Sequence, residues 1–256
     1  MTTLRVASLG SGSAGNATLV ESGSTCVLVD CGFSVRETER RLGRLGRTAA
    51  DLDAVLVTHE HGDHIRGVGP LARRHGLDVW MTPGTACAQD SGELPRLHYF
   101  SSHTAFAIGD LAVEPYPVPH DAREPSQFVF GNGAERVGLL TDVGHVTPHI
   151  LEKLAGVRAL LLECNHDPGM LRDGRYPPTL KQRVGGRHGH LANGQAAEVL
   201  ARLEQRNRLN EVVAMHLSEQ NNQPELARTA LGEVLGDTDG IRVAEQEAGF
   251  DWLTVA

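Results

Sequence analysis

His59-Glu60-His61-Gly62-Asp63-His64 follows the apolar run Ala54-Val55-Leu56-Val57-Thr58 without a break. The run reads as a strand, and alternate residues of a segment leaving a strand can converge on one ion while Asp63 and His64, at the turn that follows, reach a second. Imidazole and carboxylate are the side chains that suit zinc, manganese or iron. One histidine here would be an ordinary surface or core residue. Three histidines and an aspartate within six residues, directly after a strand, point to a metal site.

Outward from this segment, chemistry-bearing residues recur at the same kind of position. Asp30, His59, His120, Asp142, Glu163 and His216 each lie at or just past the end of an apolar run, where strand ends present side chains to a shared rim. The β-type runs are 4–9, 17–21, 25–30, 54–58, 78–81, 111–118, 127–130, 136–141, 159–163, 212–215 and 241–244. Helical patterns fall at 34–45, 63–75, 85–90, 148–155, 193–205 and 224–235. Asn132-Gly133 between two strands is a type I′ hairpin signal. No linker, repeat or low-complexity tract marks a boundary, so one domain is expected, with two mixed sheets packed face to face and helices outside.

Composition limits the function classes. At 256 residues, 40% hydrophobic and 22% charged, the chain can bury a core of ordinary size. No stretch approaches the roughly 18 apolar residues that span a bilayer, and the first residues lack signal-peptide character, so a cytoplasmic protein with no membrane partner is expected. Cys26, Cys31, Cys87 and Cys164 form no C-x-x-C pair and sit in or beside apolar runs, which argues for reduced thiols. A net charge of −8 argues against holding a polyanion by charge alone. The 13 histidines are the compositional anomaly.

Other signals carry less. Gly10-x-Gly12-x-x-Gly15 matches a dinucleotide fingerprint, but 17–21 reads as another strand and Ser22-Gly23-Ser24 as a hairpin turn. A tight loop beside the site, offering amides to a phosphate, is expected instead. Arg36, Arg40 and Arg44, with Arg41 and Arg47 nearby, read as a solvated helix face. His75, His98, His103, His145, His149 and His188 are assigned no role in the site.

The H-x-H-x-D-H pattern at 59–64 resembles the signature of the metallo-β-lactamase superfamily. Val118-Pro119-His120-Asp121-Ala122, Thr141-Asp142-Val143-Gly144 and Met215-His216-Leu217-Ser218 resemble its motifs for a third histidine, a bridging aspartate and a last ligand. Leu9-Gly10-Ser11-Gly12-Ser13-Ala14-Gly15-Asn16-Ala17, Glu163-Cys164-Asn165-His166-Asp167, Gly189-His190-Leu191-Ala192-Asn193 and His216 through Asn221-Asn222 extend the resemblance to the YycJ/WalJ-type exonuclease family over nearly the whole chain. One departure is Ala192, where that family usually has serine. The missing hydroxyl is one that would orient the loop or touch phosphate.

The resemblance implies an α/β fold, the metallo-β-lactamase-type four-layer αββα sandwich of two mixed β-sheets flanked by helices, as a single domain over 1–256. It implies one divalent ion on His59, His61, His120 and Asp142 and another on Asp63, His64, Asp142 and His216, manganese first, with zinc or iron as alternatives. A metal-bridging hydroxide would be the nucleophile, Asp63 a catalytic residue as well as a ligand, and His190 the general acid. Lys181, Arg183, Arg187, Asn193, Ser11 and Asn16 are expected to bind substrate, and Asp30, Glu163, His166 and Asp167 to support the ligands from behind. The implied activity is a DNA exonuclease working from the 5′ end of single strands, in repair. An RNA nuclease or a hydrolase of small cyclic phosphodiesters on the same site is the alternative, and a non-catalytic metal-binding protein a third. Relatives that process RNA carry an inserted domain or a long basic arm, which this sequence does not display.

Overall fold

The computed structural model describes residues 2–205 and 209–256. Val27 and Val29 enter one apolar cluster and Leu28, between them, another. That alternation is the period of a strand buried on both faces.

Two seven-stranded sheets are built this way. The first runs β1 (Leu4–Gly10), β2 (Ala17–Ser22), β3 (Thr25–Val29), β4 (Ala54–Leu56), β5 (Asp78–Met81) and β6 (Arg96–Tyr99), with β14 (Phe250–Val255) on the outer side of β1. The second runs β7 (Phe106–Ile108), β8 (Leu111–Pro117), β9 (Ser126–Gly131), β10 (Arg136–Leu140), β11 (Ala159–Glu163), β12 (Glu211–Met215) and β13 (Arg242–Val243). Strands β3 to β6 pair in parallel, as do β10 to β13, and the other pairs are antiparallel. The helices are α1 (Val35–Arg44), α2 (Gly62–Ile65), α3 (Val68–His75), α4 (Pro83–Ala88), α5 (Pro148–Lys153), α6 (Pro168–Asp173), α7 (Pro178–Val184), α8 (Asn193–Glu204) and α9 (Pro224–Leu235).

Three apolar clusters separate four layers. Between the sheets, Val6, Val27, Val29 and Leu56 meet Phe128, Phe130, Leu139 and Leu161. Leu19, Leu28 and Val55 on the outer face of the first sheet pack under Leu42 of α1 and Leu71 of α3. Leu160 and Leu162 on the outer face of the second pack under Ile150 of α5, Leu200 of α8 and Leu231 of α9. This is the αββα sandwich expected from the sequence, and each fully buried side chain of this size contributes about 1.5–3 kcal/mol.

The differences have local causes. Strands expected to run through Asp30, Thr58 and Thr141 stop at Val29, Leu56 and Leu140, because the chain bends there to form the site. The helix expected over 63–75 is two helices broken at Gly67, whose amide bonds to the Cys31 carbonyl at 2.8 Å and where a Cβ would strike the Phe33 carbonyl oxygen. The Asn132 hairpin exists, but its loop is 132–135, capped by the Asn132 side chain accepting from the Ala134 and Glu135 amides, so the two-residue type I′ turn is corrected. Strands β6, β7 and β14 and helices α6 and α7 were not anticipated. β6 is an exposed edge, β7 has three residues, β14 pairs across a bulge between Val6 and Ser8, and α7 buries none of its side chains, so none shows a clean period. Cys87, expected beside an apolar run, is exposed on α4. The arginine stripe is more than a solvated face. Arg41 is buried, donating to the Leu9 and Gln246 carbonyls at 2.9 Å, and Arg44 donates to the Glu247 and Ala248 carbonyls at 2.8 Å.

Candidate metal centre

The C-terminal ends of β3 and β4 in one sheet and of β10, β11 and β12 in the other face one another, the side of an α/β sheet where ligands bind. Asp30, Asp142 and His216, just past three of these ends, have left-handed backbone with φ of 61°, 52° and 54°. Such a conformation costs a non-glycine residue of order 1–3 kcal/mol and persists only where the surroundings over-determine it. They do so here. The Asp30 amide donates to the Leu56 carbonyl at 2.8 Å, and the His216 amide donates to Ser11 Oγ at 2.9 Å.

Two overlapping sets of donor atoms result. His61 Nδ1 lies 3.0 Å from His59 Nε2 and 3.2 Å from His120 Nε2. His64 Nε2 lies 3.4 Å from both Asp63 Oδ2 and Asp142 Oδ2, and His216 Nε2 lies 3.6 Å from Asp63 Oδ2. Asp142 stands between the sets, its Oδ1 3.9 Å from His120 Nε2. Atoms held about 2.0–2.1 Å from one tetrahedral ion stand roughly 3.3–3.4 Å apart, close to these separations.

The hydrogen bonds behind the ligands orient them. His59 Nδ1 donates to Thr58 Oγ1 at 2.9 Å, whose hydroxyl donates to Asp30 Oδ2 at 2.8 Å. His64 Nδ1 donates to the same Asp30 oxygen at 2.8 Å, and His120 Nδ1 to the Gly189 carbonyl at 3.0 Å. Glu163 Oε1 accepts from Nδ1 of His190 at 2.8 Å and of His216 at 3.1 Å, while Oε2 accepts the amides of Val143 and Leu191. Each bond fixes a tautomer and leaves Nε2 facing the centre. The Nε2 lone pairs of His59 and His120 then both converge on His61 Nδ1, which has at most one proton to offer the two, whereas a cation would serve all three nitrogens.

Charge makes the same point. Asp30, Asp142 and Glu163 are buried, with Asp63 beside them, and Asp142 Oδ2 and His216 Nε2 are buried without a hydrogen-bond partner. Four carboxylates in such a place call for compensating positive charge, and two divalent cations would match them. The residues therefore fit a binuclear His/Asp metal site.

In the ion-free protein, protons supply part of that charge. Burial pushes His216 toward neutrality, but Asp142, Asp63 and Glu163 outweigh it and raise its pKa to about 10. His64 is likewise raised well above its ordinary value by Asp142, Asp63 and Asp30 against the same burial. His59, by contrast, is pushed well below by burial and the neighbouring imidazoles. A raised folded pKa stabilises fully below the unfolded value of about 6.5, and the contribution is lost as pH climbs through about 10. The ion-free protein should weaken over that window while metal affinity rises, since a cation must displace these protons. Adding zinc at about pH 7.5 should release at least one proton per chain, read as a heat that varies with the buffer's ionisation enthalpy. A buffer-independent heat would contradict this.

The remaining expected site residues divide. His190 is half-buried at the rim beside His120 and His216, with ring centroids 5.2 Å from each. Arg183 reaches the mouth, pairing with Asp121 at 2.5 Å, whose other oxygen lies 3.4 Å from His120 Nε2. Lys181 donates instead to the Arg172 carbonyl, and Arg187 turns to His145. Ser11 and Asn16 are buried, the first holding the His216 amide and the second donating to the Gly12 carbonyl at 2.9 Å and lying 3.2 Å from His64 Nε2. The amides of Gly10, Ser11, Gly12, Ala14, Gly15 and Asn16 all donate within the protein, so the loop is a buttress and not the open amide cradle expected. Asn193 pairs reciprocally with the Asn222 amide. Asp167 caps α6 through the Met170 amide and His166 lines a neighbouring groove, so neither sits behind a ligand as expected; Asn165 turns the chain away by bonding to the Leu191 and His216 carbonyls. Sequence reading missed Thr58 and Asp121, although both adjoin a histidine of the motifs.

Comparison with known proteins agrees with this geometry. The family model described as a beta-lactamase superfamily domain matches residues 25–217. The chain is 36% identical over 237 residues to exodeoxyribonuclease WalJ of Streptococcus pneumoniae (strain ATCC BAA-255 / R6), covering 90% of this chain and 88% of that protein. It is 37% identical over 241 residues to exodeoxyribonuclease YycJ of Bacillus anthracis, covering 93% and 90%. The crystal structure of the metallo-β-lactamase fold protein YhfI from Bacillus subtilis superposes with a TM-score of 0.77 at 18% identity, over 98% of this chain and 99% of that one, a likeness of fold. With two mixed sheets, a buried His/Asp cluster at their facing ends and near-full-length relatives, the chain belongs to the metallo-β-lactamase superfamily and, within it, to the YycJ/WalJ family.

Proposed function

We propose that this chain is a two-metal phosphodiesterase, a DNA exonuclease acting from the 5′ end of single strands in repair, built as one hydrolase domain working in the cytoplasm. The observation that carries the reading is the His/Asp cluster with His190 at its rim, where Glu163 and not a ligand of the two proposed sets takes its Nδ1 at 2.8 Å. The near-full-length likeness to two exodeoxyribonucleases supports DNA as the substrate class. No helix among the described residues is long and apolar enough to cross a membrane.

His59, His61, His120 and Asp142 would hold one ion and Asp63, His64, Asp142 and His216 the other, with Mn²⁺ first and Zn²⁺ or Fe²⁺ as alternatives. When bound, two such ions supply an activated water at neutral pH and stabilise charge on the attacking and leaving oxygens. The protein's own residues then handle orientation and protons. Glu163 holds Nδ1 of His190, so a proton on Nε2 points into the cleft for the leaving oxygen, and the carboxylate stabilises the imidazolium. Asp63, as a ligand at the exposed side of the cluster, orients the attacking water. Arg183 at the mouth takes a substrate phosphate by exchanging Asp121 for it.

The test is an end-labelled panel of single-stranded and duplex DNA and RNA with manganese, zinc and magnesium. Stepwise loss from the 5′ end of single-stranded DNA is expected. Cleavage of RNA or cyclic phosphodiesters alone would move the chain to the alternative substrate class. Binding should have a shallow salt dependence, because a net −8 chain offers few phosphate contacts. Neutralising Lys181, Arg183 and Arg187 together should weaken DNA binding and leave metal content alone. Arg183→Ala should account for most of the loss, lowering the slope of log affinity against log salt by about 0.7, one contact's worth for a single strand. An unchanged slope in the triple variant would remove this patch from the substrate path.

A further inference from the structure

The glycines of Gly10-x-Gly12-x-x-Gly15 are explained by what packs on them. A Cβ at Gly10 would lie 2.5 Å from the Gln246 carbonyl oxygen, and one at Gly12 would lie 2.6 Å from Gln246 Oε1. A side chain at either position would hold off the tight turn 245–249, which joins β13 to β14 and closes on loop 11–16. Gln246 grips that loop at two successive residues, Oε1 accepting the Ala14 amide at 2.8 Å and Nε2 donating to the Gly15 carbonyl at 2.9 Å. The Ser11 amide donates to the Glu245 carbonyl at 3.1 Å. Buried Arg41 locks the turn against β1, donating from Nη1 to the Leu9 and Gln246 carbonyls at 2.9 Å and from Nη2 to Glu247 at 2.8 Å.

The loop in turn holds one half of the metal centre. Ser11 Oγ accepts the His216 amide at 2.9 Å, and the Asn16 amide donates to the Asp63 carbonyl at 2.8 Å. The Asn16 side chain is fixed by Gly12, whose amide donates to Oδ1 at 2.9 Å. Its Nδ2 then lies 3.2 Å from His64 Nε2 and 3.4 Å from Asp63 Oδ2. His216, Asp63 and His64 all belong to one proposed ion. The histidines of the other are held from elsewhere, His59 by Thr58 and His120 by the Gly189 carbonyl. His216 depends most on the grip, because its backbone is left-handed, with φ of 54°, and such a conformation persists only where the surroundings fix it.

We propose that Gln246 is a positioning residue for the ion on Asp63, His64, Asp142 and His216, setting through loop 11–16 the affinity of that ion and not of its neighbour. The inference rests on the two-ion assignment. A carboxamide suits the task because one planar group both accepts and donates, so Ala14 and Gly15 are fixed together. Groups directly behind a ligand are typically worth about 10–100-fold in metal affinity, and Gln246, one step further out, is expected to be worth about tenfold.

The test is a zinc titration of the full chain, stripped of metal and labelled with nitrogen-15 in its histidines, with each imidazole followed by nuclear magnetic resonance. In the native chain His59, His61 and His120 should respond to one ion and His64 and His216 to the other. Gln246→Ala should need about tenfold more free zinc to shift His64 and His216, with His59, His61 and His120 unchanged. Gln246→Glu keeps the length and still accepts the Ala14 amide but sets a carboxylate against the Gly15 carbonyl. It should weaken the same pair, and it serves if the alanine variant does not fold. Glu247→Ala takes an Arg41 contact from the same turn and should leave all five histidines at their native midpoints. Equal weakening in Glu247→Ala would show that any loosening of the turn suffices, and would overturn the proposal. So would a loss shared by all five histidines, or no loss in either Gln246 variant. A native chain in which His64 and His216 never respond to zinc would remove the two-ion assignment itself, and this inference with it.

Discussion

His190→Ala should keep both metal ions, lose about 10²–10⁴ in rate on DNA, and lose much less on a p-nitrophenyl phosphodiester. Hydrolysis of a natural phosphodiester expels an alkoxide that needs a proton as the bond breaks, and positioned general acids supply rate factors of that order. An aryl oxide leaves without one. Glu163 holds His190 and His216 through the same oxygen, at 2.8 and 3.1 Å, yet the two differ in what Nε2 meets. His216 Nε2 is buried, without a hydrogen bond and 3.6 Å from Asp63 Oδ2, whereas the His190 side chain opens on the rim. His216→Ala should therefore lose metal and fail on both substrates. Equal rate losses on the two substrates for His190→Ala, with metals retained, would favour a phosphate-positioning role. Loss of metal in that variant would make His190 a ligand.

Asp142→Ala is the second large effect, since its carboxylate stands between both donor sets and Oδ2 is buried without any other partner. Removing it should drop bound metal from two ions to fewer than one per chain and abolish turnover. Removing an outer support such as Asp30 should cost only about 10–100-fold in metal affinity. Asp142→Ala protein that still holds one tight ion would show that the two sites do not share this residue.

The site was legible in the sequence because its ligands sit where strands end, and strand ends are marked by the last apolar residue. His59, Asp142, Glu163 and His216 could be found that way, and the structure brings Asp142 within reach of the other three. The roles of Ser11, Asn16 and Asn193 were not legible. Their residue types suit phosphate binding, but burial turns them inward, and burial of a polar side chain depends on contacts more than 25 residues away, such as Ser11 to His216. Asp121 was overlooked for the opposite reason. Its importance comes from Arg183, 62 residues along the chain, and no local pattern announces that pairing. In the fold, strands buried on both faces announced themselves, while β6, exposed at a sheet edge, and α7, with no buried face, carry no period to read.

On the proposed function, two ions on this cluster drive hydrolysis of DNA. Its most direct test is to strip the protein, add manganese stepwise, and follow bound metal per chain against hydrolysis of a 3′-labelled single-stranded DNA. Activity should appear as the second equivalent binds, and the labelled strand should shorten in a ladder from its 5′ end. Full activity at one bound ion, or none at two on any phosphodiester, would contradict it.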